Sequence, residues 1–294
     1  MGQVQGKERL PIGAFRVKKK ELLGEGRFGD VWVVKDKETK RRMALKVMAV
    51  PDEERLQMAE NELAMLRAVS PHPHIVELHG SGIFYGPSGK DFYLLTELCS
   101  GGQLSSMLAA RTSALPEKEA LQIFLQVCLG VEKLHTLKPN PIVHRDIKAE
   151  NIVLDSGGKY KLCDFGSATH ASSRGYETKK EKANIEDEIS RLTTLQYRAP
   201  EMIDLYSGKD PLGLPTDVWA LGCLLFYLSY NRHAFPNGGL AKIVSAAHDM
   251  PAEEECTLSP DLRQLIVSIL KADPDERPDT TEVIVRARKM GKGR

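Results

Sequence analysis

Asp146 sits in the stretch HRDIKAEN, directly after Arg145, with Lys148 two positions on and Asn151 five. A carboxylate, an amine and a carboxamide at this spacing can receive a hydroxyl proton, steady a transferring phosphoryl group and hold a divalent cation. A second carboxylate, Asp164, follows in CDFG, and RAPE closes the segment at 198–201. Upstream, Lys46 in ALKV places a cation in an apolar run, and Gly24, Gly26 and Gly29 form a glycine triplet in LLGEGRFGDVWVV. Phosphoryl transfer asks for few parts: a cation on the phosphates, a carboxylate-held Mg²⁺, a base at the acceptor hydroxyl, and placement. Any one of these stretches alone reads as a surface turn or a solvated lysine. All of them, in this order and at these distances, read as transfer from ATP with Asn151 and Asp164 on Mg²⁺, Asp146 at the hydroxyl and Lys148 beside it.

The glycine triplet has a competing reading. A dinucleotide fingerprint must open a helix, so that the pyrophosphate meets the helix N-terminus. Here the residues after Gly29 include Val31-Trp32-Val33-Val34, β-branched and aromatic, which favour a strand. The loop is therefore read as the turn of a β-hairpin whose amides approach phosphate closely.

Lys46 needs an orienting partner. The stretch DEERLQMAENELAMLRAV has the helical period, with Leu56, Ala59, Leu63, Leu66 and Val69 near one face. Glu62 and Glu60 both compete for the lysine. Glu62 is preferred, because Leu63 and Leu66 then pack inward beside it.

The elements that must position these groups divide in two. The first hundred residues are strand-like around that one helix, and strands are expected in RRMALKVMAV, HIVELHGSGIFY and DFYLLTELC. Gly86-Pro87-Ser88-Gly89 reads as the loop between the last two. After Cys99 the helical signal dominates. Pro116 and acidic residues open a helix carrying Leu121, Phe124, Leu125, Cys128 and Leu134, and further helices are expected at 217–230, 239–248 and 259–271. This is an α+β chain with a small β-rich lobe, about 15–98, and a larger helical lobe, about 99–288. Residues 1–14 and the basic stretch 289–294 are read as tails.

Bulk properties narrow the partners. The chain has 294 residues, 41% hydrophobic, with a formal net charge of +1. That balance gives no reason to expect broad attraction to nucleic acid or membrane. The five cysteines at 99, 128, 163, 223 and 256 show no close pair and no metal-ligand spacing, and read as reduced thiols of an intracellular protein. Cys163, next to Asp164, is read as a small buried residue rather than a reactive thiol. The longest apolar run, 218–230, is too short for a membrane span. Gly6 stands where a myristoylation signal after Met1-Gly2 wants Ser or Thr.

Across about residues 15 to 288 the chain resembles eukaryotic protein kinases. Within them it is similar to the Numb-associated kinase family, and most of all to its cyclin-G-associated branch, through LLTELCSGGQL, KLCDFGSAT, IEDEISRLTTLQYRAPEMIDLYS and DVWALGCLLF. The resemblance implies a Ser/Thr kinase of the cytoplasm, with clathrin adaptor subunits among the candidate substrates and vesicles among the candidate locations. It implies Thr96 as gatekeeper, Glu97 to Cys99 as the hinge that binds adenine, and Val31, Ala44 and Val153 as the adenine sandwich. It also implies a stack of Leu66, Leu78, His144 and Phe165, a Glu201–Arg277 pair, and Asp217 as anchor of the catalytic loop. Lys148 and Thr194 fit Ser/Thr acceptors. The J domain of that branch is absent from this chain. The alternative from another class is a pseudokinase scaffold, whose usual sign, loss of Lys46, Asp146 or Asp164, is not seen.

Between Gly166 and Ala199 a helix is expected at about 185–192. Asn184 would cap it with Asp187 three residues on, and Ile185, Ile189 and Leu192 would form its apolar stripe. The competing expectation is a loop ordered by phosphate on Ser190, Thr193 or Thr194 and read by Arg145.

Overall fold

The computed structural model describes residues 10–26, 29–86, 89–171, 178–236, 239–251 and 258–292. Arg27, Phe28, Pro87, Ser88 and Cys256 lie outside these.

The smaller lobe is one antiparallel sheet. Its strands are β1 (Leu10–Ile12), β2 (Phe15–Gly26), β3 (Gly29–Asp36), β4 (Arg42–Ala49), β5 (Leu78–Gly86) and β6 (Gly89–Glu97), in the order β1-β2-β3-β4-β6-β5. Alternation along β2, β3 and β4 turns Val17, Val34, Met43 and Leu45 into a core closed by Ile12, Tyr93 and Leu95. Residues 10–12, read as tail from sequence, are thus an edge strand with Ile12 fully buried. Helix α1 (Glu53–Val69) crosses from β4 to β5. Asp52 caps it by accepting from Arg55 N at 2.8 Å, and Glu53 and Glu54 suit its positive end.

The larger lobe is helical. It comprises α2 (Leu104–Ala109), α3 (Glu117–His135), α4 (Lys179–Leu192), α5 (Pro200–Ile203), α6 (Leu214–Tyr230), α7 (Leu240–Val244), α8 (Pro260–Ile269) and α9 (Thr280–Lys292). Short strands β7 (Ile142–Val143), β8 (Ile152–Leu154), β9 (Tyr160–Leu162) and β10 (Thr169–His170) carry the loops between α3 and α4. Helix α3 runs through the core with Phe124, Val127, Cys128, Val131 and Leu134 buried. The apolar run at 218–230 is the buried helix α6, and no helix among the described residues is long and apolar enough to cross a membrane. Gly222 lets α6 approach α8, since a Cβ there would lie 2.6 Å from the Ile269 side chain. The helix expected at 239–248 is only the five residues of α7. Residues 289–292, read as tail, continue α9.

Candidate active site

The cleft between the lobes is built from both. Strands β3 and β4 pair Val31 with Lys46 and Val33 with Ala44, and β4 pairs Ala44 with Thr96 on β6. The register puts Val31, Ala44 and Lys46 on one face of the sheet. Val153 belongs to β8 of the other lobe, where it is bridged to Gln103. Chain 98–103 zips onto β8: Gly101 N donates to Leu154 O at 2.8 Å and Leu154 N to Gly102 O at 2.9 Å.

Glu97 is held by its side chain, away from any ligand role of its own carboxylate. Its Oε1 accepts from Lys161 Nζ at 2.6 Å and from Glu77 N at 2.7 Å, and its amide donates to Glu77 O. The Cys99 amide and carbonyl, by contrast, meet no protein partner among the described residues, which suits a hinge that bonds a heterocycle through its backbone. Burial pushes the Cys99 thiol up to about 12 and the Cys163 thiol higher still, so neither is a ready nucleophile.

The glycine hairpin closes on itself, with Gly26 paired to Gly29. Gly29 has φ +126°, and a Cβ there would fall 2.2 Å from Val47 O. Only glycine fits that place. A Cβ on Gly24 would meet nothing within 4 Å, so the hairpin keeps open space beside it.

Lys46 Nζ lies 2.7 and 2.9 Å from the two Glu62 oxygens and 2.9 Å from Asp164 Oδ1. Glu62 is buried and Glu60 exposed, so the helical phase of α1 chooses between them. Burial opposes the lysine's charge, but Asp164 and then Glu62 outweigh it and hold the amine protonated far above neutral pH. Burial also opposes the Asp164 carboxylate, and Lys46 reverses that, holding it below the usual range.

Asp146 is fixed at both oxygens. Its Oδ1 accepts from Thr194 Oγ1 at 2.7 Å, and its Oδ2 meets Lys148 Nζ at 2.7 Å and Asn151 Nδ2 at 3.0 Å. Lys148 Nζ also donates to Thr194 Oγ1 at 2.8 Å. Asn151 Nδ2 donates again to Asp146 O at 2.8 Å, which turns the carboxamide so that its Oδ1 stays unengaged. That oxygen and the Asp164 carboxylate fit Mg²⁺, which keeps several waters and completes its shell with substrate phosphates rather than a protein cage. No cluster of three or more His, Cys, Asp or Glu able to hold a metal exists among the described residues.

The loop bearing Asp146 is anchored from below. Asp217, wholly buried at the start of α6, accepts from His144 N at 2.7 Å, Arg145 N at 2.8 Å and His135 Nε2 at 3.0 Å. Burial would raise its pKa, but His135 first and then His144 lower it. Burial keeps the His144 ring neutral, with Nε2 donating to Cys163 O at 3.2 Å. The ring stands edge-on to Phe165 at 5.1 Å, and Leu66, Leu78 and Phe165 share the core that joins the lobes. Arg145 and Asp164 have φ +67° and +61°, strained values that persist only where their surroundings impose them. Glu201 and Arg277 form a buried two-pronged pair at 2.7 and 2.8 Å.

The protein kinase domain family matches residues 17–287. The chain belongs to that family. Two Dictyostelium discoideum proteins, each named "Probable serine/threonine-protein kinase", are 38% identical to it. One aligns over 96% of this kinase chain and 25% of its own length, the other over 93% and 34%. The serine/threonine-protein kinase ppk30 of Schizosaccharomyces pombe is 33% identical over 96% of the chain and 29% of its own length. The kinase chain thus spans a quarter to a third of these relatives. Members of the family use ATP and Mg²⁺.

Helix α4 corrects the expectation made for the segment after Gly166. It is there, but it starts at Lys179, not at 185, and its cap is Thr178, not Asn184. Thr178 Oγ1 accepts from Glu181 N at 3.2 Å while the Glu181 side chain accepts from Thr178 N at 2.9 Å, a reciprocal capping box. The local signal for this start is T-x-x-E at 178–181; Asn184 stands nearer the apolar stripe but lies inside the helix. Ile185 and Ile189 are buried as expected, and Leu192 is half-buried. Arg145, the candidate reader of a phosphate, donates instead to Glu188 Oε1 at 2.6 Å and to Ser167 O. Arg198 reaches Thr193 Oγ1 at 2.7 Å and the carbonyls of Ser190 and Thr193, closing the C-terminal end of α4. From sequence Glu188 reads only as an acid in the first turn of the expected helix, and Lys161 and Arg198 read as ordinary charges, because nothing local in their neighbourhoods names their partners.

Proposed function

We propose that this chain is an active serine/threonine protein kinase that moves the ATP γ-phosphoryl group to protein hydroxyls. The observation that carries the reading is the state of Asp146, whose two oxygens are aimed by Lys148, Asn151 and Thr194 while Lys46 is already paired to Glu62. In this reading Asp146 orients the acceptor hydroxyl and takes its proton. Lys148 lies against the same oxygens and balances negative charge growing on the transferring group. Lys46, held by Glu62, positions the α- and β-phosphates, and the Gly24–Gly29 hairpin covers them. Ala44, Val31 and Val153 enclose adenine, Thr96 sits behind it, and the Glu97–Cys99 backbone bonds its edge. Asn151 and Asp164 would hold Mg²⁺, which when bound neutralises charge between the phosphates. The small polar acceptor partner Thr194 favours Ser/Thr over Tyr.

Within the kinases, the stretches KLCDFGSAT and IEDEISRLTTLQYRAPEM support a place in the Numb-associated family near its cyclin-G-associated branch. Clathrin adaptor subunits are then candidate substrates, and cytoplasmic vesicles a candidate location. Asp146→Asn should leave Mg²⁺-ATP binding nearly intact, read as the rise in melting temperature with nucleotide. It should lower ADP production on the order of 10²–10⁴-fold, the usual worth of a positioned base. A loss below about threefold would place the base elsewhere. Wild type without turnover, yet stabilised by nucleotide, would favour a pseudokinase.

A further inference from the structure

The outer end of the sheet carries a row of like charges that the fold does not need. Lys18 on β2 lies directly opposite Lys35 on β3, and Lys35 directly opposite Arg42 on β4. Directly opposite residues share a face, in steps of about 5 Å, and like charges placed so are destabilising. All three are exposed. Arg16 lies two residues before Lys18, on the same side of β2, and the turn from β3 to β4 adds Lys37, Lys40 and Arg41.

Counted over 16–20 and 35–42, nine Lys and Arg meet two carboxylates, in a chain whose net charge is only +1. One of those two, Asp36, is buried. It accepts from the backbone of Arg16 at 3.0 Å, Glu38 at 3.2 Å and Thr39 at 2.8 Å, so its charge is turned into the turn and away from the row. In the row itself only Arg42 has a carboxylate nearby, Glu21 at 3.7 Å, with both side chains more than half exposed. Lys18, Lys35, Lys37 and Arg41 have none within 4 Å among the described residues.

We propose that this row docks an acidic, extended segment of a protein partner. The choice among polyanions follows from where the row lies. Lys35 and Arg42 share their face with Val33–Ala44 and Val31–Lys46, so the row is the continuation of the cleft side of the sheet, at the end farthest from Lys46. An extended chain can lie across the three strands there. No exposed aromatic ring stands among these described residues to stack nucleobases or to sit at a bilayer interface. A kinase that acts on proteins, the function proposed above, gives such a segment a use. Acidic side chains far from the acceptor hydroxyl would hold a substrate or partner at the hinge end of the sheet without touching the reacting groups.

The test measures binding without ATP, so it stands apart from the catalytic reading. A fluorescent decapeptide of alternating Glu and Ser is titrated into the wild type and into the triple variant Lys18→Ser, Lys35→Ser, Arg42→Ser. The wild type should bind at 50 mM salt and weaken steeply by 300 mM, as the screening length shrinks below about 10 Å. The triple variant should lose at least tenfold in affinity, bind a neutral peptide no differently from wild type, and melt at the same temperature or higher. Its kcat and KM on a short neutral peptide substrate should be unchanged. Equal affinity of the two proteins for the acidic peptide would overturn the proposal, as would no binding by the wild type at 50 mM salt. Tighter binding of phosphatidylserine vesicles or duplex DNA than of the peptide would overturn it as well.

Discussion

Glu188→Ala tests whether α4 is ordered without phosphate. Arg145 is 3% exposed at its side chain, and its charge is met by Glu188 Oε1 at 2.6 Å and by the Ser167 carbonyl. Glu188 is 37% exposed, so water can replace part of what the carboxylate supplies. The loss is therefore that of a hydrogen bond to a charged group, about 1.5–3 kcal/mol, rather than the larger cost of orphaning a fully buried charge. The remaining hold on α4 is the burial of Ile185 and Ile189, the Ser167–Leu192 bond and the Arg198 contacts. A loss of that size moves the docking equilibrium of α4 by about 10–150-fold. Limited proteolysis within 178–192 reads the open fraction directly when reclosing is fast, and should accelerate by the same factor. Peptide turnover should fall with the docked fraction, because Thr193 and Thr194 lead from α4 to Asp146. The KM for ATP should change less than about twofold, since Lys46 and Glu62 keep their pairing. Phosphatase-treated wild type should keep its activity. The reasoning is refuted if that enzyme is silent until Ser190, Thr193 or Thr194 is phosphorylated. It is refuted equally if Glu188→Ala is cleaved at the wild-type rate.

Thr96→Met should close the passage beside Ala44, weakening inhibitors with a substituent beyond the hinge while sparing ATP; equal losses would show that Thr96 does not line it. Lys161→Met leaves the Glu97 carboxylate, 14% exposed, without its cation. It should destabilise the domain by about 3 kcal/mol and raise the KM for ATP at unchanged kcat, and Glu97→Gln in the same chain should recover most of the stability. No recovery would mean the pair does not act as a unit. Asp36 is held down to about 2, first by the Thr39 amide, with the Thr39 hydroxyl and the Arg16 and Glu38 amides adding to it. Its contribution to stability is complete above about pH 4, the unfolded value, and is lost as pH falls through 2. Asp36→Asn should lower the melting temperature at pH 7 and flatten its decline between pH 4 and 2; an unchanged slope would assign that decline to other carboxylates.

Much of this site is written in short stretches. The hairpin around Gly24, Gly26 and Gly29 and the pairing inside HRDIKAEN follow from what their own residues permit: glycine where φ reaches +126°, β-branched residues after the turn, Asn151 five places from the carboxylate it steadies. Glu62 rather than Glu60 follows from the period of α1, because a helix can bury only one face. Other features come from chain distant in sequence. Lys46 meets Asp164 across 118 residues, Lys161 meets Glu97 across 64, and Arg145 meets Glu188 across 43. No local preference encodes such a meeting, since a surface-type Glu or Lys looks the same in sequence whether it ends in water or against a buried partner. The start of α4 shows the same division. Thr178 and Asn184 are both competent caps by residue type, and Asn184 in a helix interior costs only a few tenths of a kcal/mol. The reciprocal bonds of Thr178 and Glu181, and the docking of Ile185 and Ile189 on the lobe beneath, extend the helix past Asn184. Residue chemistry supplies the candidates; packing, which removes some charges from water and leaves others in it, selects among them.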